Sequence, residues 1–209
     1  MQRWNRATTR ASITRAGTAI LLAVAIITTG CKPALFHGTV YDPPTHAPDV
    51  VLQEASGARF SLAEQQGKVV LLFFGYTHCP DICPTTLSDW KRIKGQLGRD
   101  TTRVRFVFIS VDPARDDPAT IGRYVAEFDP GFIGATADSA RLASIEHAFH
   151  VSSSREASTS AKPSANGYAV SHSSQTFVVD KFGDLRLLYG FGMPTDEVVS
   201  DIRLLLKGA

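Results

Sequence analysis

The sequence predicts one α/β domain built around a central mixed sheet with flanking helices. Residues 69–74 are a continuous apolar run of strand length, which is typical of a strand that is covered on both faces, and residues 104–111 are a second, largely apolar run. Segments with apolar residues at helical spacing follow each run. Two more strand-like segments flank the turn residues 181–183, Lys-Phe-Gly, and this indicates an antiparallel hairpin.

The first half of the domain is predicted as strand, helix, strand. Residues 69–74, Val-Val-Leu-Leu-Phe-Phe, form the first strand. Pro84 then begins a helix, because the N–H group that proline lacks has no partner in a first turn. Gly98 ends this helix, and its buried stripe is Leu87, Trp90, Ile93 and Leu97. Residues 104–111 form the next strand.

The second half adds three helices and the hairpin. Pro118 begins one helix and Asp138 caps another. The hairpin strands are residues 175–179 and 185–189. The last helix is entered through Thr195-Asp196-Glu197, whose acids match the positive end of the helix dipole. This order of elements is the thioredoxin-type arrangement, so the predicted fold is α/β and thioredoxin-like.

The N-terminus has the pattern of an export signal. Four arginines in the first fifteen residues precede an uncharged, largely apolar stretch that ends at Cys31. Residues 28–31, Thr-Thr-Gly-Cys, resemble a bacterial lipoprotein cleavage box, in which Cys31 would carry the lipid. An uncleaved anchor, simple removal of the signal and a mitochondrial presequence stay open as alternatives. The apolar stretch is shorter than the roughly 20 residues of a spanning helix.

We therefore expect three parts: an export signal or membrane anchor at residues 1–30, a proline-rich tether at 31–48 and the folded domain at 49–209. The pattern predicts a membrane-anchored protein on the periplasmic side of a bacterial cell envelope. The net charge of +2 is small and is concentrated in the leader, which argues against a nucleic-acid partner.

Two cysteines follow the first predicted strand directly. Cys79 and Cys83 are separated by three residues, and Pro84 comes next. Unpaired N–H groups at the helix start favour a thiolate, so we expect a lowered pKa at Cys83. The spacing allows a redox pair, a structural disulfide or a shared metal. No second cysteine pair is available to complete a tetrahedral zinc site.

His172 is the candidate third ligand. Residues 152–166 are rich in serine and contain little to bury, which predicts a mobile surface loop. That loop leads to His172, which we place at the start of a central strand. Two sulfurs and one imidazole would suit both Cu(I) and Cu(II).

Five other residues carry weaker expectations. Asp112 either neighbours the site or caps an Asp-Pro turn. We expect the side chain of His78 to point away from the cysteines, and Met193 to fill space beside the hairpin. His37 and His46 belong to the predicted tether, where solvated positions are the default.

One motif makes a specific resemblance. Residues 75–87, Gly-Tyr-Thr-His-Cys-Pro-Asp-Ile-Cys-Pro-Thr-Thr-Leu, resemble the signature of the Sco/SenC family of copper proteins. Residues 110–116 and 128–134 are similar to the second and third blocks of that family. His172, ahead of residues 177–180, stands where the family keeps its histidine ligand. The resemblance extends over about residues 60–206.

The resemblance implies a thioredoxin-like domain that binds one copper ion through Cys79, Cys83 and His172. It implies a metallochaperone, rather than an enzyme, that assists assembly of the dinuclear copper centre of cytochrome c oxidase. The alternative is a thiol–disulfide oxidoreductase in which Cys79 and Cys83 reduce the cysteines of the oxidase copper site. The implied partners are the copper-centre subunit, another periplasmic copper chaperone or thioredoxin-like reductase, and the membrane.

Overall fold

The computed structural model of the chain describes residues 35–156 and 168–208. The predicted export signal and Cys31 lie outside this part. In chain order the strands and helices are β1 (Thr39–His46), β2 (Val51–Glu54), β3 (Arg59–Ser61), β4 (Val69–Gly75), α1 (Ile82–Leu97), β5 (Val104–Ser110), α2 (Pro118–Phe128), β6 (Ile133–Thr136), α3 (Ser139–Ala148), β7 (Ser153–Glu156), β8 (Ala169–His172), β9 (Thr176–Val179), β10 (Asp184–Tyr189) and α4 (Thr195–Lys207).

Eight of these strands form one mixed sheet in the order β1-β10-β9-β4-β5-β6-β2-β3. The central strand β4 is parallel to β5 and antiparallel to β9, and all seven of its residues are buried. Among the described residues, no helix combines the length and the apolar character that crossing a membrane requires. The mixed sheet and its flanking helices confirm the predicted thioredoxin-like α/β fold.

The alternating side chains of β4 build two separate cores. Val69, Leu71 and Phe73 point to a face where they pack with apolar residues of α1, α2 and α4. Residues 70, 72 and 74 point to the other face and pack with α3. Each face is therefore covered by helices, which explains why this strand is apolar without alternation.

The helix boundaries follow the signals in the sequence. Asp117 directly precedes Pro118, the first residue of α2, and its side chain accepts a hydrogen bond from the backbone N–H of Thr120. Asp138 accepts one from Arg141 at the start of α3. These side chains bind N–H groups that have no partner within the helix.

The structure differs from the prediction at the start of the domain. Part of the expected tether, Thr39–His46, is the edge strand β1, which pairs with β10. The strand is mostly exposed and its register shifts between Val40 and Thr45, around two prolines. Edge strands tolerate proline because one side of the ladder is unpaired. Because β1 buries almost none of its residues, its sequence shows no alternation of apolar and polar residues that would reveal a strand.

Short strands also escaped prediction. The strands β2, β3 and β6 contain three or four residues each, too few to show a clear period. The strand β7 occupies residues that were expected to be a mobile loop, and it pairs with β8 in a separate two-stranded sheet. His172 ends β8 and therefore does not begin a central strand, since β9 starts at Thr176.

His37 is exposed, as expected, but it also contacts a buried carboxylate that the sequence did not reveal. The carboxylate of Asp201, which is fully buried on α4, accepts hydrogen bonds from the backbone N–H groups of His37 and Gly38. The ring Nδ1 of His37 lies 2.9 Å from the same carboxylate. This hydrogen bond raises the pKa of His37, and the charge of Asp201 adds to the effect. The chain that enters β1 is thus attached to α4.

Two glycines provide a test of how tightly the core is packed. A Cβ at Gly134 would lie 2.7 Å from a methyl group of Ile121 and 3.1 Å from its carbonyl oxygen, whereas one at Gly95 in α1 would meet nothing within 4 Å. We expect Gly134→Ala to lower the free energy of unfolding by about 1–3 kcal/mol. Gly95→Ala should raise it by about 0.5–1 kcal/mol. Urea denaturation measures both, and equal effects would contradict the described packing.

The contact between His37 and Asp201 predicts a pH dependence of stability. Because folding raises the pKa of His37, its contribution is fully present below about pH 6.5, the ordinary histidine value, and is lost as pH rises through the higher folded value. We expect His37→Gln to reduce the slope of the free energy of unfolding with pH, and the part that remains comes from other groups such as His172. His147→Gln, on an exposed part of α3, should keep the full slope. An unchanged slope in His37→Gln would refute the assignment.

Candidate metal centre

Cys83 lies where β4 ends against the first turn of α1. The residue has no exposed surface. A Cβ at Gly75 would lie 2.8 Å from Sγ of Cys83 and 2.8 Å from the ring of Phe108. Only glycine leaves room for the sulfur here, so the end of the strand and the beginning of the helix together form its pocket.

Cys79 lies just ahead of α1 and is partly exposed. The backbone N–H of Cys83 points at Sγ of Cys79 over 3.4 Å. The hydrogen bond from the Cys83 thiol lowers the pKa of Cys79 most, and contacts with His172 and two backbone amides add to it, although burial opposes them. Cys79 is therefore the thiolate of the pair.

The prediction of a lowered pKa at Cys83 was wrong. Cys83 is the second residue of α1, and its sulfur points into the core rather than at the free N–H groups of the helix. Its hydrogen bond to Cys79 and its burial both raise the pKa of the Cys83 thiol. The helix N-terminus thus acts on the cysteine that precedes it. The two protons are lost in well-separated steps.

His172 reaches the cysteines from β8. Its Nε2 lies 3.6 Å from Sγ of Cys83, and its Nδ1 lies 2.9 Å from the carbonyl oxygen of Ser173. A carbonyl only accepts, so Nδ1 carries the hydrogen and Nε2 presents its lone pair to the sulfurs. Burial lowers the pKa of His172, but the bonds to Cys79 and Ser173 outweigh it and the pKa is raised. The rings of Phe73 and Tyr76 contact the imidazole edge to face.

These three residues form a group that could hold one metal ion. The sulfurs of Cys79 and Cys83 and a ring nitrogen of His172 lie within 4.8 Å of one another, the one such group among the described residues. Ligand atoms about 2.0–2.3 Å from one ion are at most about 4.6 Å apart, so small shifts would complete the contacts. Two soft sulfurs with one imidazole suit copper better than calcium or magnesium.

A buried carboxylate holds the chain that leads to Cys79. Asp116 has no exposed surface and accepts hydrogen bonds from the backbone N–H of Thr77 over 2.8 Å and from its hydroxyl over 2.6 Å. Ser110, at the end of β5, donates to the same carboxylate. The loop between β4 and α1 is thus attached to the neighbouring strand, which keeps the two cysteines in register.

The remaining sequence candidates lie outside this group. His78 turns its Nδ1 to the hydroxyl of Thr77 and points away from the sulfurs, as expected. Met193 packs on the core beside the hairpin. Asp112 is buried and pairs with Arg115, so its carboxylate supports the turn after β5.

Sequence reasoning assigned no role to Tyr76, Ser173 or Tyr168. Tyr76 precedes the cysteine loop and packs against the His172 ring, and Ser173 sets the tautomer of that ring through its carbonyl. Tyr168 is four residues before His172, a spacing that places both side chains on one face of an extended segment. That alternation was the available signal for Tyr168. The contact of Ser173 is made by its backbone carbonyl, which every residue type has, so the sequence contains no signal for it.

Comparisons with known proteins agree on one family. The family model described as SCO1/SenC matches residues 41–207. Mouse Protein SCO2 homolog, mitochondrial, is 34% identical over 157 residues, which are 74% of this chain and 60% of that protein. The alignment thus spans less than two thirds of that relative's length.

Solved structures give the same result. The apo Sco1 protein of Thermus thermophilus matches with a TM-score of 0.71 and 38% identity, over 82% of this chain and 97% of that one. Bradyrhizobium japonicum ScoI with copper bound matches with a TM-score of 0.68 and 29% identity, over 77% of this chain and 99% of that one. The signature around the two cysteines, the fold and the family match agree, and the chain belongs to the SCO1/SenC family.

Proposed function

We propose that this protein is a copper metallochaperone that assists assembly of the dinuclear copper centre of cytochrome c oxidase. The observation that carries the proposal is the group of two sulfurs and one imidazole within 4.8 Å. Its family membership supports the same role, since the Sco/SenC resemblance implies oxidase copper-centre assembly. Copper is the cargo in this proposal, and Cys79, Cys83 and His172 are its ligands.

Each ligand has a different part in binding and release. The Cys79 thiolate is partly exposed and is the first contact for an incoming ion. Cys83 must lose its proton to bind, so copper uptake releases a proton from a buried thiol. His172 supplies Nε2 without a proton cost in its neutral form. A partner's ligands would then replace these three one at a time.

The proposal also places the domain at a membrane. The arginine-rich, apolar leader and the box that ends at Cys31 support a periplasmic protein held by a lipid on Cys31 or by an uncleaved anchor. Both tethers would keep the copper site close to a membrane-bound oxidase and raise the local concentration of the partners.

A second candidate function uses the same cysteines for electron transfer. The asymmetry of the pair favours it, since a partly exposed thiolate lies beside a buried thiol. Cys79 would attack a disulfide of the oxidase copper site and form a mixed disulfide as one target sulfur leaves. Cys83 would then lose its proton and displace the second target sulfur. The product is a Cys79–Cys83 disulfide, and two electrons pass to the target.

Copper stoichiometry tests the leading proposal. We expect the reduced full-length chain, purified in mild detergent, to bind one copper per chain in native mass spectrometry. Cys83→Ala should abolish the complex. His172→Ala should weaken Cu(II) binding by at least about tenfold, because the imidazole is the ligand that favours Cu(II). The control His147→Ala changes an exposed histidine of α3 and should bind like the wild type.

The fate of the copper separates the two functions. The loaded chain is mixed with an apo oxidase copper domain whose cysteines are reduced, and the copper-free reduced chain with the same domain oxidised. Copper transfer in the first mixture supports the metallochaperone. Reduction of the target disulfide in the second mixture, with oxidation of Cys79 and Cys83 to a disulfide and without copper transfer in the first, would replace it with the reductase.

The difference in pKa between Cys79 and Cys83 predicts how the reactivity of Cys79 depends on pH. Because Cys79 is the thiolate, its rate of alkylation should change little between about pH 5 and about pH 8, whereas an ordinary thiol gains about tenfold per unit over much of this range. In Cys83→Ala the main stabilising hydrogen bond is lost, so the inflection should move to higher pH. Stopped-flow alkylation with mass-spectrometric site assignment measures this. An inflection near the ordinary cysteine value in the wild type would contradict it.

A further inference from the structure

His172 is carried by a part of the molecule that the main sheet does not hold. The strands β7 and β8 hydrogen-bond only to each other among the described strands, and we call this pair the flap. Of its eight strand residues, only Val170 is buried. Apolar burial therefore attaches the flap weakly, and other contacts must hold the imidazole over the sulfurs.

Besides the ring contacts of His172 with Phe73 and Tyr76, the polar contacts of the flap converge on Tyr168, directly before β8. Its hydroxyl donates to the carboxylate of Asp112 over 2.5 Å, and its carbonyl accepts from Arg115 over 2.9 Å. The guanidinium of Arg115 lies 3.7 Å from the centre of the Tyr168 ring, and that of Arg155 lies 4.6 Å from it. The Tyr168 ring thus lies against two cations, and the hydroxyl and the backbone carbonyl of the residue are both hydrogen-bonded.

Asp112 connects both strands of the flap to the body of the domain. Its side chain is almost completely buried and accepts from Tyr168 on the β8 side, while Arg155 of β7 lies 4.0 Å from the same oxygen. Arg115 also donates to this carboxylate. Removing one partner of a buried carboxylate is costly, so this junction resists opening.

The other side of this junction is attached to the cysteine loop. The backbone N–H of Val111 donates to the carbonyl of Gly75, where β4 ends. The backbone N–H of Asp116 donates to the carbonyl of Asp112. The carboxylate of Asp116 in turn binds Thr77, two residues before Cys79. The turn after β5 therefore contacts both the segment that precedes the two cysteines and the segment that precedes His172.

We propose that Tyr168 is a positioning residue that holds His172 within reach of Cys79 and Cys83 by locking the flap to the turn at 112–116. The proposal rests on the copper site proposed above and adds a residue that does not touch the metal. Loss of the contacts between Tyr168 and this turn leaves the cysteine pair in place, because Asp116 holds the loop between β4 and α1 independently. The imidazole, in contrast, is free to leave with the flap.

The test uses Tyr168→Phe in the full-length chain in detergent, since this change keeps the stacked ring and removes only the hydroxyl. We expect Cu(II) affinity to fall by about tenfold, and the nitrogen coupling of His172 in the electron paramagnetic resonance spectrum to weaken. The alkylation rate of Cys79 should stay close to wild type, and the melting temperature should fall by no more than about 4 °C, since only one hydrogen bond to Asp112 is lost. The matched control is Tyr124→Phe, which removes a buried hydroxyl with no hydrogen-bond partner among the described residues.

Hydrogen exchange of the copper-free chain tests the lock without the metal. In Tyr168→Phe the amides of β8 should exchange about tenfold faster, while those of β4 and α1 keep their wild-type rates. This readout stands even if the chain binds no copper, in which case the proposed function fails separately. Wild-type exchange in the flap together with a wild-type copper spectrum would overturn the proposal. Faster exchange across the whole domain would also overturn it, because it would mark Tyr168 as a general stabilising residue.

A second variant covers the case in which Tyr168→Phe does not fold. Arg155 is largely exposed, so Arg155→Gln should fold normally while it removes one side of the stack and the contact with Asp112. We expect faster exchange in the flap, to a smaller extent than for Tyr168→Phe, and recovery in Arg155→Lys, which keeps the charge. Unchanged exchange in Arg155→Gln would count against the lock.

Discussion

The close approach of Cys83 to the end of β4 is the constraint on which the rest of the site depends. The sulfur occupies space that any side chain at position 75 would fill. This contact fixes the helix start against the most buried strand, and Cys79 follows because it lies just ahead of that helix. A metal ligand in such a place needs no mobile segment to support it, so one of the three donor atoms is part of the core itself.

The two thiols owe their different chemistry first to the hydrogen bond between them and then to their positions at the start of α1. Cys79 receives the N–H groups at the start of α1, and Cys83 is turned into the apolar interior. The first is held as a thiolate and the second as a thiol that is reluctant to ionise. In both candidate functions the first step would take place at the partly exposed Cys79 thiolate, so one pair of cysteines can support either proposal.

The centre joins parts of the molecule that differ in how firmly they are attached. Cys83 lies in α1 and Cys79 lies in the loop before it, and both pack against the core on one face of the central strand. The imidazole sits on a small flap held by polar and stacking contacts around Asp112 and Tyr168. A site that must take up an ion and later release it gains from such a division. In the proposed metallochaperone the two sulfur ligands would stay in place, while the imidazole would be withdrawn at a lower cost.

The sequence by itself determined the α/β fold, the order of the main elements and the cysteine pair. Apolar runs, proline and glycine positions and capping acids are local signals, and each was read within a few residues of where it acts. The tertiary structure decided which thiol ionises, since that depends on where each sulfur points relative to the helix end. It also decided that Thr39–His46 is an edge strand and that His172 belongs to a flap. Pairing between distant segments follows from the contacts of the folded chain, and such contacts leave no period in the sequence.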